Sequence, residues 1–154
     1  MEEGRYFPVW GTCLGYQAIL TVVTNHTKVI GNSNVKYASL KLNFTEEAKN
    51  SRLFKNLDPA LAAAVSEKHL TYHEHEKGIP LSYFNDDSFG LSKFFNLLGT
   101  AIDLDNIPIV SVIEHKTLPI YGVAFHPEKT IFDFAPGYNI PHAEEAQAFS
   151  RYLA

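Results

Sequence analysis

Apolar residues recur along this chain with two different periods, and each period marks a kind of element. Residues 6–12, YFPVWGT, form a short apolar run that predicts a buried strand. CLGYQAILTVV follows, with Leu14, Ala18, Ile19 and Val22 near helical spacing, which predicts a helix burying those four. Asn25, Gly31 and Asn32 punctuate the turn after it. From 35 to 44, VKYASLKLNF alternates, with Val35, Tyr37 and Ser39 set against Lys36 and Lys41, as a half-exposed strand does. LDPALAAAVSEK predicts a short helix with Asp58 as its N-cap and Pro59 at the first helical position. LTYHEHEKGIPLSYF reads as extended, with a loop at Gly78-Ile79-Pro80, and SKFFNLLGTAID passes from a helix or turn into a strand around 96–103. IPIVSVIEH and LPIYGVAFHP are two β-rich runs separated by a gap of hairpin length. HAEEAQAFSRYLA predicts a terminal helix with Ala146, Phe149 and Leu153 on one face. Strand–helix alternation early and paired strands late predict an α/β domain with a mixed sheet.

Composition narrows the partners. The chain has 154 residues, 45% hydrophobic and 19% charged, enough for one domain with a true core. Its net charge is −4 and no Lys/Arg cluster offers phosphate contacts, so nucleic acid is not the expected partner. No run of eighteen apolar residues predicts a membrane span, and the acidic start MEEGRYF is not a signal peptide. Two glycosylation sequons occur, at Asn25 and Asn43, and matter only for a chain in the secretory route.

The single cysteine, Cys13, excludes an intrachain disulfide and sits between Gly11 and Gly15 in WGTCLGYQ. A nucleophile between small residues suits a sharp strand-to-helix turn. There the helix N-terminus favours a thiolate, and the N–H of Leu14 would face a developing oxyanion. A buried structural cysteine beside two turn glycines fits these five residues equally well. A thiol nucleophile needs a base. Of seven histidines, His126 ends the run YGVAFHP, and Glu128 stands two residues on, where a carboxylate can hold the imidazole's tautomer. His69, His73 and His75 invite a metal reading through their H-x-H spacing, but lack Cys or Asp partners nearby. No metal and no cofactor are therefore expected.

Taken together, FPVWGTCLGYQ and LPIYGVAFHPE resemble the two halves of the class I glutamine amidotransferase-like superfamily. LNFT followed by SRLF, then SKFFNLL, then HPEKTIFDF, carry a narrower resemblance to its γ-glutamyl hydrolase branch. The resemblance implies a flavodoxin-like three-layer sandwich with a mixed, mostly parallel sheet. It implies a cysteine hydrolase acting on γ-glutamyl bonds of folylpoly-γ-glutamates or γ-glutamyl peptides. Cys13 would be the nucleophile, His126 the base and acid, and Glu128 its orienting partner. His75 would enter the site as a substrate-binding residue, with His73 as its rival. Gln17 and Lys129 would contact the substrate. Gln17 departs from the branch, which more often has Glu there, and agrees with the amidotransferases. Two further readings stand beside the first: a glutaminase module serving a synthase, and a non-catalytic family member acting as a structural subunit.

The family places this cysteine after three or four further β/α units, and its second oxyanion donor comes from an upstream glycine loop. Only a dozen residues precede Cys13, and no Gly-Gly occurs. The expectation is a single domain over residues 1–154, N-terminally incomplete, with one unpaired sheet edge and exposed apolar faces. A homodimer, or a partner chain covering that edge, would follow, as would a lysosomal or secreted address by resemblance.

Overall fold

The computed structural model describes residues 7–154. The predicted first strand is observed as β1 (Val9–Thr12), and residue 6 of that expectation lies outside the described residues. A main sheet has the order β1, β9 (Ile120–Val123), β8 (Pro108–His115), β7 (Phe95–Ile102), β4 (Asn43–Phe44). Two small ribbons sit beside it. One pairs β2 (Gly31–Asn32) with β6 (Lys77–Gly78), the other β3 (Ala38–Leu40) with β5 (Thr71–His73).

The sheet is mixed, as anticipated, but its balance is not the parallel one. Among the described residues only β1 and β9 run parallel; β9–β8, β8–β7 and β7–β4 are antiparallel. The reason is local. β7, β8 and β9 follow one another through short connections, and a short connection can only reverse the chain. Two opposed irregularities refine the β7–β8 pair. Thr100 and Gly99 face Val110 and Val112, so Ser111 bulges; Gly99 and Leu97 face Val112 and Ile113, so Leu98 does. A bulge shifts side-chain phase by one residue. Val110 and Ile113 thereby share one face of the sheet, with Val112 on the other.

Both faces are covered, which makes three layers. On one face, α2 (Pro59–Glu67) and α6 (Glu144–Leu153) enclose a core of Leu42, Phe54, Val65, Val112, Phe125 and Phe149. The α2 N-cap is as predicted: Asp58 Oδ1 accepts from the N–H groups of Ala60 and Leu61. In α6 the buried face holds Ala146, Phe149 and Leu153, also as predicted. On the other face, α1 (Leu14–Thr24), α3 (Leu81–Phe84) and α4 (Leu91–Phe94) cover Tyr16, Leu20, Ile79, Val110 and Ile113. The short α5 (Pro127–Phe132) follows β9 and packs on α6.

Two expectations about faces are corrected. Helix α1 buries Tyr16, Gln17 and Leu20, while Leu14 and Val22 are 74% and 77% exposed. Polar handles decide this orientation: the Tyr16 hydroxyl donates to the Val110 carbonyl at 3.0 Å, and the Gln17 amide to the Lys77 carbonyl at 2.7 Å. The run 35–44 is not one strand. Tyr37 adopts φ +61°, which breaks the alternation and turns its ring outward, so Val35, Ala38, Leu40 and Leu42 are the buried set. Its two halves, β3 and β4, join different sheets.

Among the described residues β1 pairs with β9 alone, so the strand leading to Cys13 is an edge. Apolar surface flanks that edge on both sides. Val9, Ile19, Val22 and Ile120 line a depression on the α1 side; Trp10, Ile131, Phe132 and Leu153 line one on the α5–α6 side. No described helix is long and apolar enough to cross a membrane.

Candidate active site

Cys13 occupies the single residue between β1 and α1. Its N–H still belongs to the sheet, donating to the Val123 carbonyl at 2.9 Å, while its carbonyl already accepts from Gln17 N at 3.1 Å in the helix. Changing direction within one residue requires φ +51° and ψ −106°, an uncommon conformation for a side chain with a Cβ. Gly11 makes the turn possible. A Cβ there would stand 2.6 Å from Ile19 Cδ1 and 2.7 Å from both the carbonyl carbon and oxygen of Gly15. Gly15 is different: a Cβ on it would meet nothing within 4 Å, so the turn does not require its smallness. The N–H of Leu14 is the first of α1, one of the four that a helix leaves without intrahelical partners.

His126 is brought to Cys13 by the sheet, because β9 is the parallel neighbour of β1 and both strands end at the same level. The chain continues past β9 through Ala124 and Phe125, and His126 N donates to the Tyr72 carbonyl at 2.8 Å, which pins it to β5. Its Nδ1 lies 2.6 Å from Glu128 Oε1. That leaves Nε2 on the side of Cys13. Burial by itself would push the imidazole down. The nearby Cys13 and the hydrogen-bonded Glu128 outweigh it and raise His126 to about 9. Glu128 answers in kind: its half-burial pushes upward, but its bond to His126 holds the carboxyl below the usual range. The three residues named from the sequence are thus brought together, in the order thiol, imidazole and carboxylate.

The other candidates are placed less uniformly. His75 is buried near His126, with Nδ1 at 3.3 Å from Ser33 Oγ and Nε2 at 3.2 Å from His73 Nδ1. Desolvation and the charge of His126 lower it to about 4, against the pull of the Lys77 and Ala124 carbonyls. Gln17 is buried, and its amide ties α1 to the Lys77 carbonyl, two residues after His75. Lys129 pairs with Glu74 and, at 3.5 Å, with Asp133, and its ammonium lies over the Tyr72 ring. Its charge is therefore already met by two carboxylates. Asn25 and Asn43 are both exposed. His69 does not join His73 and His75; its Nδ1 sits 2.8 Å from the Ser39 carbonyl. Among the described residues no three His, Cys, Asp or Glu side chains are grouped as metal ligands would be. The sequence reading missed Ser33 and Thr71, which flank the two buried histidines. Neither residue carried a signal, because a lone Ser or Thr is distinguished only by what the fold puts next to it.

The chain is similar to several known proteins. Rat γ-glutamyl hydrolase (Rattus norvegicus) is 37% identical over 153 residues, covering 99% of this chain and 47% of the relative. The γ-glutamyl hydrolase of Homo sapiens is 34% identical, also over 99% of this chain and 47% of its own length. γ-Glutamyl hydrolase 1 of Arabidopsis thaliana is 30% identical, over 99% and 44%. The chain thus spans about half the length of the curated relatives it matches. Among solved structures, a protein described as a GMP synthase component, from Thermoplasma acidophilum, superposes with a TM-score of 0.55. The match covers 99% of this chain and 58% of that one at 17% identity, a likeness of fold alone. The family model for glutamine amidotransferase class-I matches residues 2–138, a span that takes in both the Cys13 turn and the His126–Glu128 segment. With the Cys13 turn, the His126–Glu128 pair and every strand of the main sheet inside that match, the chain belongs to the class-I glutamine amidotransferase family.

Proposed function

We propose that this chain carries the catalytic half of a cysteine hydrolase that cleaves γ-glutamyl bonds, such as those of folylpoly-γ-glutamates or γ-glutamyl peptides. The observation that carries the reading is Cys13 at a strained strand-to-helix turn beside the hydrogen-bonded His126–Glu128 pair, at the ends of two parallel neighbouring strands. The choice of bond is supported by the names of the relatives, which are γ-glutamyl hydrolases from animals and plants. The Cys13 thiolate attacks the γ-carbonyl carbon, and the carbonyl electrons move to oxygen, where the Leu14 N–H donates. As the C–N bond breaks, His126 gives its Nε2 proton to the leaving amine. A water molecule then returns a proton to His126 while its oxygen attacks the thioester. The C–S bond breaks, releasing a γ-carboxylate and the thiolate. His75, Gln17 and Lys129 are the substrate-side candidates in this reading. No metal or cofactor takes part in these steps. A homodimer or a partner chain at the β1 edge, and a lysosomal or secreted address with Asn25 and Asn43 glycosylated, belong to the same proposal.

Gln17 favours a second reading, a glutaminase module that hands ammonia to a synthase. One experiment separates the two. Wild type and Cys13→Ala protein are given a poly-γ-glutamate and, separately, free glutamine with and without a synthase. Release of glutamate or short γ-glutamyl chains, absent in Cys13→Ala, supports the hydrolase. Glutamine hydrolysis appearing only with the synthase supports the second reading. No cleavage of either, with Cys13 resisting iodoacetamide, leaves a structural role.

A further inference from the structure

Behind His126 lies a buried file of four side chains: Ser33, His75, His73 and Thr71. His73 is wholly buried and His75 nearly so. His73 Nε2 is 3.4 Å from Thr71 Oγ1, its Nδ1 is 3.2 Å from His75 Nε2, and His75 Nδ1 is 3.3 Å from Ser33 Oγ. The direction of the protons in this file can be worked out from one end. The Thr71 hydroxyl donates its only proton to the Leu40 carbonyl at 3.0 Å. Its oxygen can then only accept, so His73 carries its proton on Nε2. Nδ1 of His73 is therefore an acceptor, His75 donates to it from Nε2, and His75 Nδ1 accepts from Ser33. Room for the last contact comes from Gly78, where a Cβ would stand 2.7 Å from Ser33 Oγ and 3.6 Å from His75 Cε1.

We propose that His73 is a positioning residue: backed by the Thr71 hydroxyl, it holds His75 as the neutral Nε2–H tautomer, so that His126 is the only imidazolium in the Cys13 site. This deepens the hydrolase reading and rests on it for its catalytic consequence. The charged group acting on both rings is His126, and the Lys77 and Ala124 carbonyls also face His75. Burial and His126 both oppose a second positive charge there, in keeping with the neutral pair. A protonated His75 could no longer accept from Ser33 and would place a second positive charge beside His126.

The test is long-range ¹⁵N–¹H NMR on the ¹⁵N-histidine-labelled 154-residue chain, with His75 assigned from its loss in His75→Gln. Wild type is expected to show His75 protonated at Nε2 and not at Nδ1, and uncharged down to pH 5. In His73→Leu, His75 should show a tautomer mixture and titrate at least tenfold closer to an ordinary imidazole. His73→Asn, whose amide oxygen can sit where Nδ1 was, should restore the wild-type spectrum. His75 protonated at Nδ1 in wild type overturns the proposal, as does an unchanged His75 signal in folded His73→Leu. Cleavage assays add the second reading. Where wild type cleaves a γ-glutamyl substrate, His73→Leu should lower kcat more than it raises KM and shift the acid limb of the pH profile, and His73→Asn should recover both. Absence of wild-type cleavage counts against the hydrolase reading, while the NMR result still decides the role of His73.

Discussion

Gly11 and Gly15 look equivalent in the sequence, and the fold predicts opposite outcomes for replacing them with alanine. In Gly11→Ala the new methyl carbon would sit 2.6 Å from Ile19 Cδ1 and 2.7 Å from the Gly15 carbonyl atoms. Ile19 can swing aside, but the Gly15 carbonyl is helix backbone, so α1 must move away from β1 by several tenths of an ångström. Overpacking against a backbone that cannot yield costs about 3 kcal/mol, the upper end of the usual range. For a domain of this size that lowers Tm by about 6–12 °C. The same movement carries Cys13 from His126, so His126 should fall from about 9 toward an ordinary imidazole value. In Gly15→Ala the methyl meets nothing within 4 Å, and replacing Gly by Ala in a helix is favourable by up to about 1 kcal/mol. Its Tm should equal or slightly exceed that of wild type. Urea and thermal unfolding followed by circular dichroism measure both variants, and histidine NMR measures the His126 titration. Equal Tm values for Gly11→Ala and Gly15→Ala would refute the reasoning, since the expected gap comes wholly from the difference between a filled and an open neighbourhood.

Four further outcomes are expected. Cys13→Ala should abolish γ-glutamyl cleavage, and His126→Asn should reduce it by roughly 10²–10⁴-fold, as loss of a general base does; residual turnover near wild type in either rules out the thioester route. Cys13→Ser should bring His126 down from about 9, because the nearby Cys13 helps to hold it up, and an unmoved titration would mean another group does so. The folded-state imidazole of His126 lies above its ordinary value, so its contribution to stability is complete below about pH 6.5 and fades as pH rises through about 9; that of His75, held at about 4, is present above about pH 6.5 and lost as pH falls toward 4, so urea midpoints should decline at both ends and His75→Gln should flatten the acid limb. Asp58→Ala should cost about 1 kcal/mol through the α2 N-cap, and Asp58→Asn much less.

Local rules read well wherever a residue acts on its own few neighbours. The Asp58–Pro59 start of α2, the apolar face of α6 and the β8–β9 hairpin follow from side-chain spacing and turn length, so they were legible. The buried face of α1 was not. Counting apolar residues selects Leu14, Ala18, Ile19 and Val22, whereas the fold buries Tyr16 and Gln17, whose polar ends find carbonyls 94 and 60 residues away. The strand over 35–44 failed for a related reason. Alternation assumes extended backbone throughout, and the positive φ of Tyr37 reverses it.

By itself, the sequence determined the thiol between two glycines, the His126–Glu128 pair two residues apart, and the family whose segments it resembles. Those are properties of short stretches, where backbone sterics and side-chain type suffice. Only the tertiary structure decided that Gly11 and not Gly15 is required by the turn, that Lys129 is already met by Glu74 and Asp133, and that His73 stands behind His75. Each of these depends on which distant groups share a low-dielectric interior, where an unpaired proton or charge is costly. Pairing of that kind is set by the parallel contact of β1 with β9 and by the β3–β5 ribbon, and no spacing along the chain encodes it.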